Sequence, residues 1–137
     1  MPANAIPIFS KVARAQWVNG ITAANTALDG TGTVSPVFTA DATNGSYLQK
    51  LVVRPRGTNV ASVLRVFLNN GLTNATAANN VMIGELTLPA TTASAVAALA
   101  GVEVPINMPI PPGYVVNVTL GTAVAGGYAV AGVGGDY

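Results

Sequence analysis

The chain is expected to fold as an all-β protein, an antiparallel, jelly-roll-like β-sandwich of about eight strands. Three observations predict this. Short apolar segments rich in Val and Thr recur every 8–15 residues. Turn chemistry built from Gly, Asn and Pro closes each of them. Only one segment reads as helical. With 137 residues the chain fits one domain that can bury a core without staples.

The elements follow in order along the sequence. Val12–Val18 comes first and ends at Asn19-Gly20. A Gly/Thr-rich stretch with Asp29-Gly30 and Gly32 leads to Thr33–Ala40, where Pro36 marks an edge strand or a strand start. Asn44-Gly45 is a strong turn signal. Ser46–Pro55 follows and starts by alternating, with Tyr47, Gln49, Leu51 and Val53 on one side and Leu48, Lys50, Val52 and Arg54 on the other. Val60–Asn69 is β-branched and closes at Asn70-Gly71. Val81–Leu88 stops at Pro89. Val102–Met108 is interrupted by Pro105, and Pro111-Pro112-Gly113 makes a turn. In Tyr114–Leu120, Tyr114, Val116, Val118 and Leu120 alternate with Val115, Asn117 and Thr119. Gly127–Val133 is the last strand. Between the fifth and sixth strands, Thr91–Ala100 is Ala-rich, opens on threonines and stops at Gly101, which predicts one short helical turn. No repeat, linker or composition break appears. Residues 1–10 read as an extended N-terminal arm and 11–137 as a single sandwich.

The composition excludes most enzyme classes. There is no Cys and no His, so thiolate metal sites, Cys nucleophiles and Ser-His-Asp triads are absent. The acids Asp29, Asp41, Glu85, Glu103 and Asp136 are scattered, and Asp29 and Asp41 read as turn residues. Ser46 with Lys50 has the formal spacing of a Ser-Lys dyad. Lys50 could join a Lys-Asn isopeptide crosslink with Glu85 or Glu103 as the catalytic acid, which requires burial. No catalytic residue, metal ligand or cofactor is expected.

Formal net charge is +1, far from the basic balance of a nucleic-acid binder. Mean hydropathy is +0.49, but Pro, Gly and Asn punctuate every apolar run, so no membrane-spanning helix is expected. The N-terminus lacks the basic region of a signal peptide.

Only 8% of the residues are charged, against roughly 25% in ordinary soluble domains. Either a neutral polar surface of amides and hydroxyls compensates, or apolar surface is buried against other protein. The interface candidates are Ile6, Ile8 and Phe9 in the arm, then Trp17. Tyr137 is a further anchor, at the end of a final edge strand. Arg54, Arg56 and Arg65 would share one face if their strands formed a hairpin, giving a docking patch for an acidic surface.

Several stretches resemble small structural proteins of tailed bacteriophages. They are Arg54-Pro55-Arg56-Gly57-Thr58-Asn59, Phe67-Leu68-Asn69-Asn70-Gly71, Glu85-Leu86-Thr87-Leu88-Pro89-Ala90-Thr91, and the end from Pro112-Gly113-Tyr114 through Gly134-Gly135-Asp136-Tyr137. The resemblance implies a virion component, a capsid decoration (cement) protein. Such proteins are often β-rich trimers that sit on the outer shell and tie major capsid subunits together, frequently through N-terminal arms. It further implies synthesis in the host cytoplasm and residence on the capsid surface. The alternative is a carbohydrate-binding or head-fibre/tail-associated adhesion module, with Trp17, Tyr47, Tyr114 and Tyr128 as the sugar platform.

Overall fold

The computed structural model describes residues 10–137. The arm anchors Ile6, Ile8 and Phe9 lie outside the described residues. The eight expected strands are present: β1 (Val12–Ile21), β2 (Ser35–Thr39), β3 (Ser46–Pro55), β4 (Ser62–Asn69), β5 (Asn80–Leu88), β6 (Val102–Ile110), β7 (Val115–Leu120) and β8 (Tyr128–Asp136). They form two four-stranded sheets, ordered β1-β8-β3-β6 and β2-β7-β4-β5, and every ladder is antiparallel. The pairs β1:β8, β2:β7, β3:β6 and β4:β5 are those of one long hairpin rolled over on itself, which is the jelly-roll arrangement.

Turn residues act where backbone geometry demands them. Gly45 and Gly113 adopt left-handed conformations (φ 76° and 75°) in the β2–β3 and β6–β7 turns. Pro36 lies on β2, an edge strand, as its missing N–H requires. The core fills from both sheets, with Leu48, Leu51 and Val53 of β3 meeting Leu64 and Val66 of β4 and Val116, Val118 and Leu120 of β7.

Four expectations need correction. Residues 92–101 form no helix, and the only helical turn among the described residues is a 3₁₀ turn at Ala77–Asn79. Ten Ala-rich residues are too few to sustain a helix without a packed face, and nearly all of residues 92–101 are solvent-exposed. β8 is not an edge strand, since it lies between β1 and β3. The alternation of β3 breaks at a register shift between Leu48 and Lys50, leaving Gln49 as the extra residue opposite β8. Leu48 therefore joins Leu51 and Val53 inside, while Tyr47, Lys50, Val52 and Arg54 face out. Finally, β3 and β4 form no hairpin, because the chain crosses between sheets after Pro55.

Candidate interaction surface

The two sheets treat their outer faces differently. On the β2-β7-β4-β5 sheet, Phe67 points outward, between Asn117 of β7 and Met82 of β5. It is nevertheless fully buried, and Asn117 and Thr119 beside it are buried as well. Loops line this face. The Asn25 N–H donates to Leu120 O at 2.7 Å. Asn74 Nδ2 donates to Gly30 O at 3.2 Å and Gly32 O at 2.7 Å, tying the 22–34 and 70–79 loops together. Asn25 and Asn79 donate further amide bonds within these loops, Asn80 of β5 donates to Asn74 O, and Asn69 Nδ2 at the end of β4 donates to Asn80 Oδ1 at the start of β5. Amides do here what charges do on most surfaces.

The β1-β8-β3-β6 sheet has no such cover among the described residues. Its outward positions lie in register rows. Trp17, Ala131, Val52 and Glu103 form one row, and Ala15, Val133, Lys50 and Pro105 the next. Ala13, Gly135, Tyr47 and Pro109 follow, and Asn19, Ala129 and Arg54 lie at the other end. An antiparallel sheet facing water normally shows polar residues on that side. This one shows mostly Ala, Val, Gly, Pro and aromatics, with Trp17 69% exposed on edge strand β1. The Ala, Val and Gly of the two central strands were not among the sequence candidates. Their signal was available, because β8 is apolar at both alternating sets of positions.

The other sequence candidates fall in different places. Arg54 lies on this outer face with its guanidinium against Gly101, and Arg56 lies in the β3–β4 loop with its guanidinium against Gly20. Arg65 sits on the opposite sheet, paired with Glu85 at 3.4 Å. The three arginines therefore do not share a face. Tyr137 is partly buried beside the β2–β3 turn, its N–H donating to Gly45 O at 3.2 Å. Of the four aromatics proposed for a sugar platform, Tyr128 is in the core and Tyr114 packs against it. Trp17 and Tyr47 face outward, two rows apart.

The acids are all engaged in local structure. Asp29 accepts from Thr31 N and Oγ1, and Asp41 accepts from Thr43 N and Asn44 N, as turn residues do. Glu103 pairs with Lys50 at 3.0 Å on the outer face. That pair is too exposed for isopeptide chemistry. Asp136 accepts from Arg14 and from Ser46 Oγ. Burial pushes the Asp136 carboxyl up, but these bonds and the Arg14 charge hold it below the ordinary aspartate value. Ser46 faces inward and Lys50 outward, so no Ser-Lys dyad exists. Among the described residues no cluster of acids could hold a metal, and no helix is long and apolar enough to cross a membrane.

Arg54 and Arg56 have no acidic partner within ion-pair distance among the described residues. The surface thus combines a bare apolar sheet face with two free cations near one end. Comparison with known proteins gives no match to a family model, a curated protein or a solved structure.

Proposed function

We propose that this chain is a structural virion protein, a capsid decoration protein that docks on the outer shell and stabilises it through oligomeric contacts, with a trimer the favoured form. The observation that carries this reading is the apolar outer face of the β1-β8-β3-β6 sheet, which no loop among the described residues covers, in a chain with only 8% charged residues. A face of this kind is stable in water only at some cost, and burial against protein removes that cost. The resemblance to tailed-phage structural proteins gives the partner, the major capsid protein.

The area sets a condition. Four strands about 4.8 Å apart, each up to about 10 residues long at about 3.4 Å per residue, give a face on the order of 600 Å². A standard interface takes about 800 Å² from each partner. The sheet face supplies most of this, and the N-terminal arm with Ile6, Ile8 and Phe9 is the proposed source of the rest. A ligand that binds only the assembled shell raises the stability of that shell by mass action.

The test is quantitative mass spectrometry of purified virions from the phage whose genome encodes the chain. A copy number in fixed proportion to the major capsid protein supports decoration. A few copies per particle would instead indicate a fibre, neck or tail part, and none would end the virion reading.

A further inference from the structure

The outer face of the β2-β7-β4-β5 sheet carries a cleft of about 260 Å³ between the 22–34 and 70–79 loops. Its floor is built from register neighbours. Asn117 of β7 lies between Pro36 of β2 and Phe67 of β4, and Val115 lies beside Asn69 in the next outward row. Val34 from the first loop and Leu72 and Asn74 from the second complete the walls.

The three amides around this cleft differ. Asn69 Nδ2 donates to Asn80 Oδ1 at 2.8 Å, and its Oδ1 accepts from the Gly71 N–H at 2.8 Å. Asn74 Nδ2 donates to two loop carbonyls. The Asn117 side chain makes no hydrogen bond among the described residues, although it is only 5% exposed. It faces the cleft, because Val116 and Val118 on either side of it point into the core. Its amide is also not sealed. Among the described residues, the fully buried side-chain atoms left without a partner belong to Arg65, Thr119 and Tyr128, and none to Asn117. An amide this deep, unpaired yet within reach of water, is open to a partner that enters from outside.

We infer that this cleft binds a neutral sugar residue through two adjacent hydroxyls. Asn117 presents an acceptor (Oδ1) and a donor (Nδ2) side by side, and neighbouring hydroxyls of a sugar ring offer the complementary pair. Val34, Pro36, Leu72 and Val115 are the apolar surface against which the C–H side of the ring packs. Leu72 is 65% exposed, so covering it adds to binding. Among the described residues no charged or aromatic side chain lines the cleft, which disfavours an ionised ligand and a stacked planar ring. The cleft is on the opposite sheet from the face proposed to dock on the shell. It stays open in a docked copy, and its test does not depend on docking.

The test titrates the full chain with the methyl glycosides of mannose, galactose and glucose. NMR follows the Asn117 side-chain amide and the methyls of Val34, Leu72 and Val115. Tetrahydropyran-2-methanol, a ring of the same size with a single hydroxyl, is the control. The expected result is a saturable shift at these groups with at least one glycoside, at a dissociation constant on the order of 1–10 mM. The control should bind about tenfold more weakly. Asn117→Leu removes the amide at nearly constant volume and should weaken that glycoside about tenfold. Leu72→Ala, at an exposed loop position, should weaken it about threefold with the melting temperature unchanged, and it decides the matter if Asn117→Leu does not fold. No saturable shift with any of the three glycosides would overturn the proposal. So would a control that binds as tightly as the best glycoside, or an unchanged affinity in either folded variant.

Discussion

Ser46 Oγ donates to Asp136 Oδ1, joining the first residue of β3 to the last residue of β8 inside the sandwich. The same hydroxyl accepts from the Asp41 N–H at 2.9 Å, and Arg14 Nε donates to the other oxygen of Asp136 at 2.9 Å. Three strands and a turn therefore close around one carboxylate. Because its folded pKa is lowered, its stabilisation is present above the ordinary aspartate value of about 3.9 and lost as pH falls below it. Asp136→Asn should lower the melting temperature at pH 7, and the gap from the unmodified chain should shrink below about pH 4. Thermal denaturation across this range checks it. A gap of constant size would show that the carboxylate charge contributes nothing.

Trp17 is mostly exposed on the outer face, so Trp17→Ala should change the stability of an isolated protomer by less than about 0.5 kcal/mol. Its effect should fall on association instead, because large aromatics dominate interface energies. Sedimentation velocity of the two proteins at matched concentration separates these effects. Deleting residues 1–9 should likewise weaken oligomer formation or shell binding without unfolding the sandwich.

The glycines of β8 are predicted to be irreplaceable inside and tolerant nowhere near Tyr47. A Cβ on Gly134 would lie 1.9 Å from Tyr47 O, and one on Gly132 would lie 3.2 Å from the Phe38 side chain. Gly134→Ala should therefore prevent β8 from pairing with β3 and leave little folded protein. Phe67→Ala, which empties a fully buried site under the loops, should cost about 3–5 kcal/mol. Chemical denaturation of both variants tests the register directly.

Arg54 and Arg56, near one end of the outer face, have no acidic partner among the described residues. If the partner is acidic there, Arg54→Glu with Arg56→Glu should slow association and reduce its salt dependence, while Arg65→Glu, on the other sheet, should act through stability instead. Association rates at two ionic strengths, beside melting curves, distinguish the two cases.

Much of this fold was legible in the residues. Alternation in Tyr114–Leu120 and punctuation by Asn44-Gly45 and Asn70-Gly71 placed the strands, because strands in a half-buried sheet must alternate and turns need particular backbones. Strand order was not legible. It depends on which distant segments pair, so Arg54 and Arg65 fell on different sheets and Arg56 in the loop between them. The helical turn expected over Thr91–Ala100 rested on local signals, alanine propensity with threonines before it and Gly101 after it, and nearly all of residues 92–101 are exposed, with no packed face to hold them. Gly132 and Gly134 read as part of a final edge strand. They are instead the close-packed middle of a sheet, where only the structure shows what approaches them.

The central claim is that the outer face of the β1-β8-β3-β6 sheet is made to meet the capsid. Cryo-electron microscopy of phage shells saturated with the purified chain tests it most directly, with a Trp17→Glu chain beside it. The account predicts ordered copies bound to the outer shell with Trp17, Val52 and Ala131 buried in contacts, and bare shells for the folded Trp17→Glu chain. Shells left bare by the unmodified chain, or bound copies that turn this face to solvent, would contradict it.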